Sequence, residues 1–558
     1  MFAAMASVTQ GSAGLALGYA SVAAPLLVGM VRNGASWRRL LWAPIFAVPV
    51  TLAAGAGLAA ASTLGAGLGI SLGGTVAAVA AGAAATAGLG YVAGRVLARP
   101  RSDAAEHRRG TVVLENEFAE RGRPHRERAA HEREFRDRHV RERDARDRDA
   151  AITLAGVPIA EADETKHFKI IGTTGTGKST AITELLAAGL ARGDRAVVAD
   201  PDGGYLKRFF KAQRGDVILN PFEPASRKWD LFGEIQTPYD IEQLARSLIP
   251  DHEGSDRSWR GYARTFFTAV TRRAHEAGVE DVGELHRLLV MAEPRELRIL
   301  LAGTAAQPFL EEHNSRMFDS VRSVTSSAVT ALEYVGQQRQ EKLSVRDWVR
   351  GSHDGAKAGG VLFIPYRAGQ IAALHSQISA WMRLSIFEAM NQPETRQRLW
   401  FVVDELDAVG QIDGLKDALA RLRKFGGRCV LGFQSVAQVS STYGQGDAHT
   451  LVENCGNSLI LRSSASEGGG TARFASSLIG DREILRTTHS RSRRPLDLVG
   501  VRTTSQQVAV EAAVLPSQIE QLPDLEGYLK VASRPQWLRV RLAPGRETTH
   551  HRETGYEI

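Results

Sequence analysis

The 558-residue sequence has only two cysteines, and it contains no charged residue between Leu40 and Gly94. The scarcity of cysteine excludes a small disulfide-stabilised secreted domain, and the surroundings of Cys429 and Cys455 favour buried thiols in a reducing compartment. No group of cysteines and histidines has the spacing of a zinc site. The charge-free run is long enough for two membrane crossings of about 20 residues each, so it predicts a membrane anchor.

This charge-free run predicts a transmembrane hairpin at about residues 40–97, with crossings near Leu40–Ser62 and Gly74–Leu97. Arginines precede and follow the hairpin, so the positive-inside rule places both of its ends in the cytoplasm. An earlier apolar run, residues 13–31, is either a third crossing or a segment that lies in the membrane interface. For residues 1–100 as a whole, the alternative is a buried soluble hairpin.

Residues 101–150 are rich in arginine and in carboxylates that nearly balance it. Opposite charges recur at helical spacing from Glu127 to Asp149, which predicts a solvated helix or neck stabilised by i,i+4 pairs. A nucleic-acid contact is the alternative, and the near-zero local charge disfavours it. The whole chain has a net charge of +7 and a pI near 9.4, which favours an anionic partner, either nucleic acid or anionic lipid.

A glycine-rich segment at 172–179 reads Gly-Thr-Thr-Gly-Thr-Gly-Lys-Ser and matches the phosphate-binding pattern G-x-x-x-x-G-K-[ST] in full. It lies between the strand-like run Phe168–Ile171 and the helical pattern Ile182–Leu190, which makes a plain glycine-rich turn the weaker reading. Its backbone N–H groups would cradle the phosphates of ATP, Lys178 would reach the β- and γ-phosphates, and Ser179 would ligate Mg²⁺. The predicted nucleotide-binding residues are Gly172, Thr173, Thr174, Gly175, Thr176, Gly177, Lys178, Ser179 and Thr180.

A second chemical element is the apolar run Leu399–Val403, which ends in Asp404 and Glu405. Asp404 would hold Mg²⁺ through water, and Glu405 would orient and deprotonate the attacking water. The next apolar run ends in Gln434, whose amide would report the γ-phosphate, with a capping or turn glutamine as the alternative. The two elements together predict an ATP hydrolase.

Two more carboxylates, Asp200 and Asp202, close the strand that follows the phosphate loop, in Ala-Asp-Pro-Asp-Gly-Gly at 199–204. A carboxylate at this point would meet Mg²⁺ or a neighbouring subunit. Asp-Pro-x-Gly is equally a good turn sequence. The sequence leaves both interpretations open.

Downstream of the loop, strand-like apolar runs alternate with helical patterns, which predicts an α/β fold with a parallel sheet covered by helices. No convincing strand lies between about residues 240 and 351, so an inserted all-α domain is expected there. The nucleotide-binding domain would comprise residues 151–239 and 352–545, followed by a flexible tail at 546–558. The runs assigned to strands are Ala196–Ala199, Asp216–Leu219, Gly360–Pro365, Leu399–Val403, Cys429–Phe433 and Ser458–Leu461.

Three further short motifs accompany the phosphate loop and the acids. They are Ile-Leu-Asn-Pro-Phe at 218–222 with Trp229, Gly-Phe-Gln-Ser at 432–435, and Leu-Pro-Asp-Leu-Glu-Gly-Tyr at 522–528. Over about residues 105–545 the set resembles the type IV coupling proteins of bacterial conjugation, the TraD/TrwB family. The resemblance implies a RecA-like P-loop ATPase, a homo-hexamer in the bacterial inner membrane with its motor in the cytoplasm. Such a ring would pass relaxase-bound DNA from the relaxosome to inner-membrane components of a type IV secretion channel.

The same resemblance implies a site shared between subunits, because a cation from the neighbour stabilises charge on the transferring phosphoryl group. Arg423 matches the family's proposed finger, with Arg421 and Lys424 as alternatives. DNA would thread the ring centre and be held by its backbone, without base readout. The basic stretch Arg486–Arg494 is either a DNA contact or a mobile solvated loop. No long acidic stretch follows Leu542, so an acidic docking tail is not expected.

Three rival functions fit parts of this sequence. An FtsK/HerA-like DNA translocase shares several of the motifs, although the sequence after Leu515 is too short for a DNA-reading winged helix. A receptor that recruits protein effectors for type IV secretion would use the same motor motifs. A membrane anchor with an inactive site would retain the motifs without turnover.

Overall fold

The chain forms two compact units. The first is drawn from Met1–Gly110 and Arg482–Glu511, and the second from Thr111–Asp481 and Ala512–Ile558. The predicted charged helix at Glu127–Asp149 lies outside the residues that the structure describes. The computed structural model describes residues 19–32, 40–51, 72–97, 106–115, 152–251, 257–351, 360–393, 398–465, 470–492 and 501–543.

Seventeen strands are present in the described residues, and most of them join a single large sheet. They are β1 (Glu106–Gly110), β2 (Val113–Glu115), β3 (Thr153–Leu154), β4 (Val157–Pro158), β5 (Phe168–Ile171), β6 (Arg195–Pro201), β7 (Val217–Ile218), β8 (Lys228–Trp229), β9 (Lys342–Leu343), β10 (Val361–Tyr366), β11 (Leu399–Val403), β12 (Gly427–Phe433), β13 (Asn457–Leu461), β14 (Asp481–Ser492), β15 (Val501–Ala512), β16 (Glu526–Lys530) and β17 (Trp537–Arg541).

The α-helices with named bounds lie mainly in the second unit. They are α1 (Leu72–Leu97), α2 (Glu161–Glu164), α3 (Lys178–Ala191), α4 (Gly204–Phe209), α5 (Pro238–Leu248), α6 (Arg257–Glu276), α7 (Val282–Val290), α8 (Pro294–Leu300), α9 (Ser315–Gln337), α10 (Val345–Arg350), α11 (Ile371–Asn391), α12 (Leu415–Leu422), α13 (Val436–Tyr443), α14 (Gln445–Asn454), α15 (Gly470–Ile479) and α16 (Pro516–Glu520).

The first unit contains α1, helical segments at residues 19–32 and 40–51, and a sheet of order β1-β14-β15. Glycines let its helices approach closely: a Cβ on Gly94 would lie 2.2 Å from the carbonyl oxygen of Leu26. No helix within the described ranges combines the length and the apolar character that crossing a membrane requires. The basic stretch Arg486–Arg494 is strand β14 up to Ser492, so the expected loop is wrong there.

The second unit is built on a ten-stranded sheet of order β2-β17-β16-β13-β5-β12-β11-β6-β10-β7. Its strands run parallel from β13 to β7, whereas β16 pairs antiparallel with β13 and β17. Each of the six predicted runs overlaps one of these parallel strands, because parallel strands covered on both faces are continuously apolar. Cys429 and Cys455 are buried free thiols, as expected.

The region predicted as an all-α insertion contains helices α5 to α10. It also contains the two-residue strand β9, which pairs in parallel with β8. The expectation of no strand in this region is therefore wrong, because a two-residue pair leaves no alternation in the sequence.

The inserted helices share an apolar core with one face of the motor sheet. Trp229, just before the insertion, packs edge-on against Trp381 of α11, with ring centroids 5.8 Å apart. Phe267 of α6 and Val403 of β11 belong to the same buried cluster. On the other sheet face, α3 packs through a separate cluster that includes Ile182. The insertion is therefore packed onto the motor by burial of apolar surface.

We expect Gly432→Ala to lower the free energy of unfolding by about 1–3 kcal/mol, because the added Cβ overpacks the sheet beside the predicted acid pair. At this end of β12 a Cβ would lie 2.3 Å from the carbonyl oxygen of Asp404. Gly446→Ala in α14 is the control, since no atom lies within 4 Å of its added Cβ; it should stabilise the helix by about 0.5–1 kcal/mol. Unfolding curves of the two variants measure the contrast, and coinciding curves would refute the prediction.

Candidate functional site

The phosphate loop connects β5 to α3 in a conformation that depends on glycine. Gly175 and Gly177 have φ values of +78° and +115°, a region that side chains other than glycine rarely adopt. A Cβ on Gly177 would also lie 2.9 Å from the Leu525 side chain. The loop therefore begins α3 with its N-terminal N–H groups free to meet an anion.

Lys178, the first residue of α3, folds its side chain back over the loop. Its Nζ donates hydrogen bonds to the carbonyl oxygens of Gly172, at 2.8 Å, and Thr173, at 3.2 Å. Burial lowers the pKa of this ammonium, although the nearby Asp404 and Glu405 oppose that shift. The lysine thus supplies a positive charge beside the loop, where phosphate oxygens would lie.

Ser179 and Asp404 meet although 225 positions separate them along the chain. The Ser179 hydroxyl donates a 2.7 Å hydrogen bond to Oδ2 of Asp404. The other carboxylate oxygen of Asp404, Oδ1, is buried and has no hydrogen-bond partner among the described residues. Within those residues no cluster of three or more His, Cys, Asp or Glu side chains is placed to hold a metal. A hydroxyl, a carboxylate and an unused buried oxygen suit Mg²⁺, which takes few protein ligands and keeps several waters.

Glu405 and Gln434 form a short polar chain with the phosphate loop. Gln434 Nε2 lies 3.3 Å from Glu405 Oε1, and the Thr174 hydroxyl donates to Gln434 Oε1 at 3.2 Å. Strand β12, whose last residue Phe433 immediately precedes Gln434, lies between β5 and β11. Burial raises the pKa of Glu405, and the charges of Asp404 and Asp407 raise it further. A carboxylate with a raised pKa is a better proton acceptor.

Asp200 has a defined structural role at the start of α4. Its carboxylate accepts the backbone N–H groups of Tyr205, at 3.1 Å, and Leu206, at 2.6 Å. Burial raises the pKa of Asp200 to about 7. Asp202 is exposed, with φ of +58° in the turn that precedes this helix. The Asp200 carboxylate and the Asp202 backbone therefore shape the turn, which was one of the two interpretations left open.

Two residues of this site were not predicted from the sequence. The Tyr205 hydroxyl donates a 2.7 Å hydrogen bond to Asp404 Oδ2. The backbone N–H of Leu525 donates to the carbonyl oxygen of Thr176 at 3.0 Å, so the 522–528 motif closes onto the phosphate loop. Leu525 has φ of +65°, and nothing in a leucine signals that conformation. For Tyr205, a tyrosine at the second position of a helix near the loop was the only available signal.

Arg423 lies at the opposite edge of the sheet from the phosphate loop. It follows α12 and precedes the first residue of β12, whose seven residues span roughly 20 Å before Gln434. The structure therefore does not bring Arg423 to the phosphate loop of its own chain. Together with Lys424 it lines an open cavity of about 540 Å³, whose other lining residues are Glu161, Thr165, Arg398, Gly426 and Arg428.

Three features define a RecA-like P-loop domain: the order of the strands in the sheet, the phosphate loop with its positive-φ glycines, and the Ser179–Asp404 contact. A family model described as the type IV secretion-system coupling protein DNA-binding domain matches residues 151–543. The chain therefore belongs to the family of type IV secretion-system coupling proteins. This membership confirms the resemblance on which the sequence analysis relied.

Individual relatives agree with this assignment. Coupling protein TraD of Escherichia coli (strain K12) is 31% identical over 381 residues, which cover 68% of this chain and 52% of TraD. The chain thus spans about half the length of that relative. The unbound structure of the conjugative coupling protein TrwBdeltaN70 is 29% identical, with a TM-score of 0.66, covering 80% of this chain and 95% of that one. TrwB in complex with ADP and Mg²⁺ is 28% identical, with a TM-score of 0.64, covering 80% and 97%.

Proposed function

We propose that this protein is an ATP-driven DNA translocase that couples the relaxosome to a type IV secretion channel during bacterial conjugation. The observation that carries the proposal is the contact between Ser179 of the phosphate loop and Asp404 of β11. It places a phosphate cradle and a carboxylate at one site, in a chain of the coupling-protein family. The complex of TrwB with ADP and Mg²⁺ supports the same nucleotide chemistry for this relative.

The residues of this site would divide the work of ATP hydrolysis. The loop N–H groups and Lys178 would bind the phosphates, and Ser179 and Asp404 would hold Mg²⁺. The metal ion would neutralise charge on the β- and γ-phosphate oxygens. Glu405 would accept the proton of the attacking water. Gln434, which contacts both Thr174 and Glu405, would relate the occupancy of the phosphate loop to the position of that carboxylate.

The proposed assembly is a homo-hexameric ring anchored in the bacterial inner membrane. We infer its membrane attachment from the charge-free run between Leu40 and Gly94. We infer the cytoplasmic position of its motor from the arginines that flank this run. The ring would complete each nucleotide site with Arg423 of a neighbouring copy. Its proposed partners are the DNA strand, a relaxase and the inner-membrane components of the channel. Two observations support the DNA contact: the matching family model is that of a DNA-binding domain, and the chain has a net charge of +7.

We expect single-stranded DNA to stimulate the ATPase activity of the full-length protein at low salt. Stimulation should decline as salt rises from about 50 to 200 mM, because the predicted contacts are to phosphates. Strands of unrelated sequence and equal length should stimulate equally, since no base readout is expected. Phosphate release measured in detergent or in vesicles, with and without DNA, tests this.

Each outcome of this experiment distinguishes one function. ATP hydrolysis that does not respond to DNA at low salt would contradict the DNA motor and favour a receptor for protein effectors. Absence of both nucleotide binding and hydrolysis would contradict the assigned site itself.

A further inference from the structure

Asp404 is held from two directions through the same carboxylate oxygen. Both the Ser179 hydroxyl and the Tyr205 hydroxyl donate to Oδ2, each at 2.7 Å. The Oδ1 atom is buried without a hydrogen-bond partner among the described residues. One oxygen is thus saturated with donors, while the other retains its full capacity to accept. Because a carboxylate is planar, fixing Oδ2 also fixes the direction in which Oδ1 points.

The two donors differ in what they do when a nucleotide binds. Ser179 is the hydroxyl expected to ligate Mg²⁺ through an oxygen lone pair, so its oxygen would then serve the metal as well as Asp404. Tyr205 has no such role, and its hydroxyl would stay on Oδ2. Outer-shell donors of this kind orient metal-ligating carboxylates, and losing one typically costs 10–100-fold in metal affinity or activity.

Tyr205 itself is firmly placed. It is 4% exposed, and its backbone N–H is held by the Asp200 carboxylate. The preceding turn passes through Asp202 and Gly203, both with positive φ, and Asp202 donates its N–H to the Tyr366 carbonyl oxygen. These contacts orient the Tyr205 ring, which belongs to α4, toward Asp404 at the carboxyl end of β11. The hydroxyl is therefore positioned before any ligand arrives.

We propose that Tyr205 is a positioning residue for the magnesium site, which orients the Asp404 carboxylate so that Oδ1 is available to Mg²⁺ or to its water. This inference rests on the proposed nucleotide-binding function of the site. It assigns a role to the Asp-Pro-Asp-Gly-Gly turn and to α4: they hold an outer-shell donor, and they contribute no metal ligand.

The test is the Mg²⁺ dependence of nucleotide binding by Tyr205→Phe, measured in the full-length protein with a fluorescent ATP analogue. Removing the hydroxyl should raise the Mg²⁺ concentration at half-saturation about 10-fold or more. Affinity for the same analogue in EDTA should stay at the wild-type value, because Lys178 and the loop N–H groups are untouched. Mn²⁺ binding followed by electron paramagnetic resonance should weaken in parallel. Tyr205→Met, which also lacks the hydroxyl, should show the same shift and serves if Tyr205→Phe does not fold.

Tyr366→Phe is the matched control. Tyr366 is also buried beside the acids, and its hydroxyl has no hydrogen-bond partner among the described residues. Its removal should leave the Mg²⁺ half-saturation unchanged. A wild-type Mg²⁺ dependence in a folded Tyr205 variant would overturn the inference while leaving the nucleotide site intact. Failure of the wild-type protein to bind the analogue would instead overturn the proposed function.

Discussion

Lys178→Ala is expected to reduce ATP hydrolysis by about 10²- to 10³-fold, with no loss of folded structure. The Lys178 ammonium sits over the phosphate loop, where it donates to the Gly172 and Thr173 carbonyl oxygens. It is the cation at the predicted position of the β- and γ-phosphates, so its removal leaves the charge that develops there unneutralised. Steady-state phosphate release and nucleotide affinity, measured on the same sample, separate turnover from binding.

Lys211→Ala provides the control for this loss of charge. Lys211 is exposed and follows α4 in the same unit, so the substitution changes net charge equally without touching the loop. It should hydrolyse ATP like the wild-type protein. If DNA transfer remained intact in Lys178→Ala, transfer would not depend on turnover at this site, and the chain would act as a membrane anchor with an inactive site.

Arg423→Ala is expected to cost about 10³- to 10⁵-fold in hydrolysis while nucleotide affinity remains unchanged. Arg423 is separated from the Gln434 end of its own sheet by the length of β12, so the proposed action on a nucleotide would have to be on that of another copy. Its exposed position beside an open cavity suits contact with a neighbouring subunit. Binding of a nucleotide analogue and phosphate release measure the two properties.

Mixing the two inactive variants tests whether the arginine acts between subunits. In an equimolar mixture of Lys178→Ala and Arg423→Ala, about a quarter of the interfaces would join an intact phosphate loop to an intact arginine. Activity should therefore reappear on mixing. No recovery in rings shown to contain both variants would contradict a shared site. Arg421→Ala should stay active, since Arg421 does not line the cavity, whereas a loss confined to Lys424→Ala would move the role to Lys424.

The central sheet could be predicted because buried parallel strands are continuously apolar. Leu399–Val403 and Phe168–Ile171 have the predicted bounds. The meeting of Ser179 with Asp404 follows, because parallel strands end at one edge of the sheet.

Other parts of the site and fold could not be predicted because they depend on how side chains and segments are oriented in the folded chain. The Tyr205 contact requires knowing where a six-residue helix aims its ring. Strand β14 was expected to be a loop in its basic part, because polar residues dominate its sequence. The closure of Leu525 onto the phosphate loop requires a backbone conformation that leucine seldom takes.

The continuous apolar core beneath the inserted helices has a mechanical consequence. Trp229 and Trp381 pack edge-on where the insertion joins the motor, within one buried apolar cluster. Close-packed interiors transmit displacement with little compression. Any tilt of α11 that accompanies a change at the sheet edge would therefore swing the inserted helices as a rigid lever.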